Sequence, residues 1–104
     1  MLNSIPFLQS LTPKMFKLLP IREESDAGKS VFLKRYIDSL LIELEGALAL
    51  YPPLEQNGHY VSILATVKYL SLHSDLPIER WRSETFRLIR LVDKSQRTDD
   101  CHAD

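Results

Sequence analysis

The side chains of this chain that could hold a metal ion or move a proton are three histidines, one cysteine and fourteen carboxylates. Their spacing keeps them apart. His59 and His73, if they share one helix, lie about 21 Å apart at 1.5 Å per residue, too far to share an ion. Glu55 precedes His59 by four positions, but the turn beside Pro53 interrupts any helical pairing. Cys101, His102 and Asp104 are neighbours in a polar terminal stretch that would have to be ordered before it could offer ligands. Cys101 is also the only thiol, and no serine occupies a Gly-x-Ser-x-Gly turn of the kind that exposes a hydrolase nucleophile. No catalytic residue, metal site or cofactor is expected, and the chain reads as a non-enzyme.

Ala27-Gly28-Lys29-Ser30 ends like a phosphate-binding loop. That loop also needs a glycine five positions before Gly28, where Glu23 stands, and a preceding strand that turns into a helix. Glu23, Glu24 and Asp26 would repel an anion there. The segment is read as the polar start of a helix.

The remaining chemistry is cationic. In PIERWRSETFRLIRLVDK, from Pro77 to Lys94, the residues Ile78, Trp81, Thr85, Leu88, Ile89 and Val92 share one face at about 100° per residue. Arg80, Arg87, Arg90 and Lys94 form a stripe read as nearly opposite, with Arg97 continuing its direction. Guanidinium forks bind carboxylates and phosphates in bidentate fashion, so the stripe could dock an acidic surface. Leu91 beside it suits a protein contact better than a phosphate-only one. Arg80, Arg87, Arg90, Leu91 and Lys94 are therefore the candidate partner-binding residues. Trp81 falls with the core. Glu79, Glu84 and Asp93 interrupt the positive charge and argue against nucleic acid.

These residues must be positioned by helices. Prolines divide the chain into blocks with the three-and-four spacing of helix faces. Thr12-Pro13 predicts an N-cap and first helical residue, with a short helix from Pro13 to Leu19 ending before Pro20. Ile5, Phe7, Leu8 and Leu11 predict an arm docked on the core ahead of it. Ile21 to Lys29 reads as a polar connector, with Ser25 or Asp26 as the next cap. A long helix is predicted from about Ala27 to Tyr51, its face made by Leu33, Tyr36, Ile37, Leu40, Leu44, Ala47, Leu48 and Tyr51. Gly46 inside it costs about 1 kcal/mol against alanine, which a close neighbouring helix would explain. Asp38, Glu43 and Glu45 are assigned to its solvent face, with Lys34 and Asp38 as a surface ion pair. Asn57-Gly58 marks the boundary of a third helix, His59 to Ser74, with Tyr60, Ile63, Leu64, Val67 and Leu70 inward. LEGALALYPP resembles the close of a tetratricopeptide repeat's second helix, but no copy follows at the ~34-residue period, so no repeat array is expected.

The expected fold is an all-α, compact antiparallel bundle of three main helices plus a short N-terminal one, over residues 1–97, with 98–104 as a flexible polar tail. Composition agrees: 44% hydrophobic and 26% charged residues in 104 suit one domain with one core. The net charge of −1 gives no global pull toward nucleic acid or membranes. No apolar run approaches the ~20 residues that span a bilayer, and the N-terminus has no basic region of a signal peptide. A lone cysteine points to a reducing, cytoplasmic setting. Leu41, Ile42, Leu50, Val61, Tyr69, Leu72, Phe86 and Leu91 exceed what a three-helix core hides, and so suggest a second surface. The function expected is a non-enzymatic protein-binding or regulatory module of adaptor, inhibitor or immunity type. Its partner is another, possibly acidic, protein or a second copy in a homodimer. The alternative is a nucleic-acid-binding regulator that uses the basic stripe.

Overall fold

The computed structural model describes residues 4–24 and 30–102, the last five as backbone only. The chain is all-α, with no strand among the described residues. The helices are α1 (Ile5–Phe16), α2 (Leu18–Glu23), α3 (Val31–Leu50), α4 (Gly58–Leu72) and α5 (Ile78–His102), with a 3-10 turn at Pro52–Gln56 between α3 and α4. Side-chain ties fix their directions. Tyr60 reaches Leu44 and Ser71 reaches Asp38, so α3 and α4 run antiparallel. Asn57 reaches Ser95 and Arg87 reaches Thr66, so α4 and α5 do the same. Phe7 stacks on Tyr51 and the Tyr36 hydroxyl donates to the Lys14 carbonyl, which sets α1 antiparallel to α3. The bundle measures 46 × 22 × 18 Å.

The N-terminal helix begins earlier than predicted. It starts at Ile5, with Pro6 in its first turn, and Pro13 lies inside it rather than at its start. An internal proline forfeits one helix hydrogen bond and crowds the preceding turn, at about 3 kcal/mol. Full burial of Leu8, Leu11 and Met15, one face at spacings of three and four, offsets that cost. The break falls at Lys17. Pro20 then sits in the first turn of α2, where its missing N–H has no acceptor to lose. Ile21 to Glu23 are helical, not connector. Arg22, expected in a polar connector, is buried: Nη2 donates to the Leu76 carbonyl at 2.9 Å, and the guanidinium lies 5.9 Å from the centre of the Trp81 ring.

Helix α3 starts at Val31, capped by Ser30, whose side chain accepts from the Phe32 N–H at 3.1 Å. The predicted caps Ser25 and Asp26 lie outside the described residues, as do Gly28 and Lys29 of the loop-like motif. Asn57 caps α4, its Oδ1 accepting from the His59 and Tyr60 N–H groups, while its Nδ2 donates to the Ser95 carbonyl at 3.0 Å. One buried side chain thus starts one helix and pins it to another. Helix α5 has Trp81, Thr85, Leu88 and Val92 fully buried, as its periodicity predicted. The Trp81 indole N–H donates to the Leu18 carbonyl at 3.0 Å, fastening α5 to the start of α2. The backbone of α5 remains helical to His102, past the predicted end of the domain at residue 97.

The carboxylates of α3 each meet a neighbouring helix. Glu43 pairs with Lys14 of α1, Glu45 pairs with Lys68 of α4, and Asp38 accepts from Ser71 of α4 at 3.4 Å. Asp38 and Glu43 are half-buried bridges between helices, whereas Glu45 reaches Lys68 from the solvent face it was expected on, its side chain 54% exposed; Asp38 does not pair with Lys34. Nor does a helix approach Gly46: a Cβ built there meets nothing within 4 Å.

Candidate functional site

Helices α4 and α5 leave a groove of about 320 Å³ along their seam, lined by Ser62, Ala65, Thr66 and Tyr69 from α4 and by Arg80, Glu84 and Arg87 from α5. The seam exists because the first-turn residues of α5 descend beside the last turns of α4, after the short connection from His73 to Pro77. Seven residues separate Arg80 from Arg87, two helical turns, which places both on the same flank of α5. Glu84 lies between them, four residues from one and three from the other. Its Oε1 is 3.6 Å from Arg80 Nε and its Oε2 is 3.6 Å from Arg87 Nη1. Its side chain is only 15% exposed, whereas the arginine side chains are 60% and 52% exposed.

At 3.6 Å these are ion pairs without hydrogen bonds. Among the described residues Arg80 donates no hydrogen bond, and Arg87 donates only a long one, 3.4 Å, to Thr66 Oγ1. Thr66 is buried, and its hydroxyl donates back to the Ser62 carbonyl at 2.8 Å, so an oxygen lone pair is left toward Arg87. A buried hydroxyl thereby meets one guanidinium, and a mostly buried carboxylate lies between two. Most N–H donors of the pair stay open to solvent.

The predicted stripe is only partly assembled. Arg80 and Arg87 come together in the groove, along the α4 seam instead of on the face opposite the core. Arg90 is exposed and lines no part of the groove, and among the described residues it has no ion-pair partner. Leu91 is half-buried and packs on the core, so it is not an apolar tooth among arginines. Lys94 is exposed and outside the groove lining. Arg97 pairs with Asp93 at 3.0 Å. Ser62, Thr66 and Tyr69 join the site from α4 without having been expected there, and Glu84, expected only to dilute the positive charge, lies at its centre. The spacing of Glu84 from both arginines was readable in advance. The part played by Thr66 was not, because it depends on the register between α4 and α5.

Next to the groove, α4 turns apolar side chains outward. Val61, Ala65, Tyr69 and Leu72 are exposed at spacings of four, four and three, Leu72 to 80%. Ile42, Leu50 and Phe86 are also exposed, so six of the eight predicted surplus residues lie at the surface, while Leu41 and Leu91 pack on the core. A second groove of about 370 Å³ runs between α1 and α3, lined by Phe7, Glu43, Gly46, Ala47, Leu50 and Tyr51. Its one carboxylate is engaged by Lys14.

Among the described residues no group of three or more histidine, cysteine or acidic side chains could hold a metal ion, and no helix is long and apolar enough to cross a membrane. Compared with protein-family models, curated proteins and solved structures, the chain matches none.

Proposed function

We propose that the chain is a small protein-binding module, of adaptor, inhibitor, immunity or regulatory kind, that acts through the α4–α5 face. The observation that carries this reading is the row Val61, Ala65, Tyr69 and Leu72, exposed directly alongside the Arg80–Glu84–Arg87 groove. Exposed apolar rows rimmed by charge are what helix-in-groove recognition uses: area from one side, register from the other. A second copy is a poorer occupant than another protein. A two-fold contact through this face would bring two copies of the groove, each with one positive charge in excess, into one interface. Nucleic acid is poorer still, because Glu84 sits between the two arginines and the whole chain carries a net charge of −1. A cytoplasmic setting belongs to the same proposal and rests on the lone thiol.

The test is affinity capture from a lysate of the source cells with the wild type and with a Val61→Lys, Leu72→Lys variant. Both substituted positions are exposed, so the variant keeps the wild-type melting curve. A protein retained by the wild type and lost by the variant supports the reading. An identical retained set overturns it.

A further inference from the structure

Resting on the reading of the α4–α5 face as a protein-docking surface, we propose that its groove is a carboxylate-receiving site. Its occupant is an acidic side chain of an amphipathic partner segment, docked between Arg80 and Arg87. Two guanidiniums and one carboxylate leave the triad with one positive charge in excess. A single carboxylate balances that excess, whereas a phosphate dianion would leave the site negative. The donors are available: Arg80 makes no hydrogen bond among the described residues, and both ion pairs to Glu84 are 3.6 Å long. The site is also organised before binding, since Glu84 is 15% exposed and Thr66 is buried, and both hold Arg87 in place. Glu84 therefore does two opposed things. It positions the arginines, and it tempers their attraction for an incoming anion. The apolar row from Val61 to Leu72 lies on one side of the groove, so the segment that fits carries apolar residues on one helical face and an Asp or Glu at its border.

The probe is a capped amphipathic helical peptide with leucines on one face and glutamates beside them, compared with a twin in which every glutamate is glutamine. Binding to the full chain is followed by amide chemical-shift titration at constant ionic strength. The glutamate peptide should shift the amides of Thr66, Tyr69, Glu84 and Arg87, and the glutamine twin should bind about three- to tenfold more weakly. Arg80→Gln with Arg87→Gln should remove that difference between the peptides, while Glu84→Gln should tighten the glutamate peptide. Equal binding of the two peptides would overturn the carboxylate site and leave the protein-docking reading standing on its apolar row. Inorganic phosphate that competes more tightly than the glutamate peptide would also overturn it, making the groove a small-anion site. Failure of both peptides at millimolar concentration would overturn it as well, and capture with the Val61→Lys, Leu72→Lys variant would then decide the docking reading separately.

Discussion

Tyr60 shows how much one buried polar atom decides in this bundle. Its ring is fully buried and its hydroxyl donates to the Leu44 carbonyl at 2.5 Å, so α4 is tied to the middle of α3. Burial pushes the phenol well above its ordinary value of about 10, and the nearby Glu43 carboxylate pushes it in the same direction. Tyr36 is raised for the same two reasons. In the unfolded chain both phenols ionise near pH 10, whereas in the folded chain they stay neutral to higher pH. Their contribution is therefore complete below about pH 10 and is lost as pH rises beyond it. Tyr60→Phe should cost about 1 kcal/mol near neutral pH through the lost hydrogen bond, and should flatten the alkaline decline. Urea midpoints near pH 7 and above pH 10 give both quantities. An alkaline decline equally steep in the variant would assign it to other groups. Leu40→Ala, at a position 3% exposed, should cost about 2–5 kcal/mol. A near-neutral urea midpoint would place the core elsewhere. Residues such as Leu40 and Tyr60 were legible as core from spacing alone. Arg22 was not, because its burial depends on the Leu76 carbonyl and the Trp81 ring, both more than fifty residues away.

At the scale of elements, the apolar periodicity of α3, α4 and α5 anticipated their inward faces, since a helix of this length must bury one stripe whatever surrounds it. Proline punctuation anticipated less. Thr12-Pro13 has the form of a helix start, and local chemistry alone favours it, but the buried stripe of Leu8, Leu11 and Met15 carries the helix through. That conflict leaves a signature. Pro13→Ala should restore the missing hydrogen bond and raise stability by about 1–2 kcal/mol, after the entropy that proline removes from the unfolded chain is subtracted. A loss of stability would mean that the ring makes contacts worth more than the bond. Gly46→Ala should likewise add about 1 kcal/mol, because the new methyl meets open space in the middle of α3. Both are read from thermal or urea unfolding. The solvent-face assignment held for Glu45 but not for Asp38 and Glu43, for a related reason: helical phase separates inside from outside, but not a flank next to another helix from one next to water.

At the scale of the whole molecule, the same ambiguity governs the candidate site. The arginine stripe was visible in sequence as a set of positions. Only the antiparallel register of α4 and α5 divides it into a paired seam at Arg80 and Arg87, an outward Arg90 and a half-buried Leu91. Because both seam arginines are at least half exposed and their ion pairs are long, Arg80→Gln with Arg87→Gln should change the unfolding free energy by no more than about 1 kcal/mol. A larger loss would make the triad a structural clamp and not a docking feature. Light scattering over a concentration series should find a monomer at low salt, since self-docking through this face would gather two copies of its excess positive charge in one interface. A footprint of the bound partner decides which groove it occupies. The captured partner is added to isotopically labelled chain and the amide shifts are mapped. Changes should be confined to residues 61–72 of α4 and 80–87 of α5, as docking on the α4–α5 face requires. Changes centred on Phe7, Gly46 and Leu50, in the groove between α1 and α3, would contradict it.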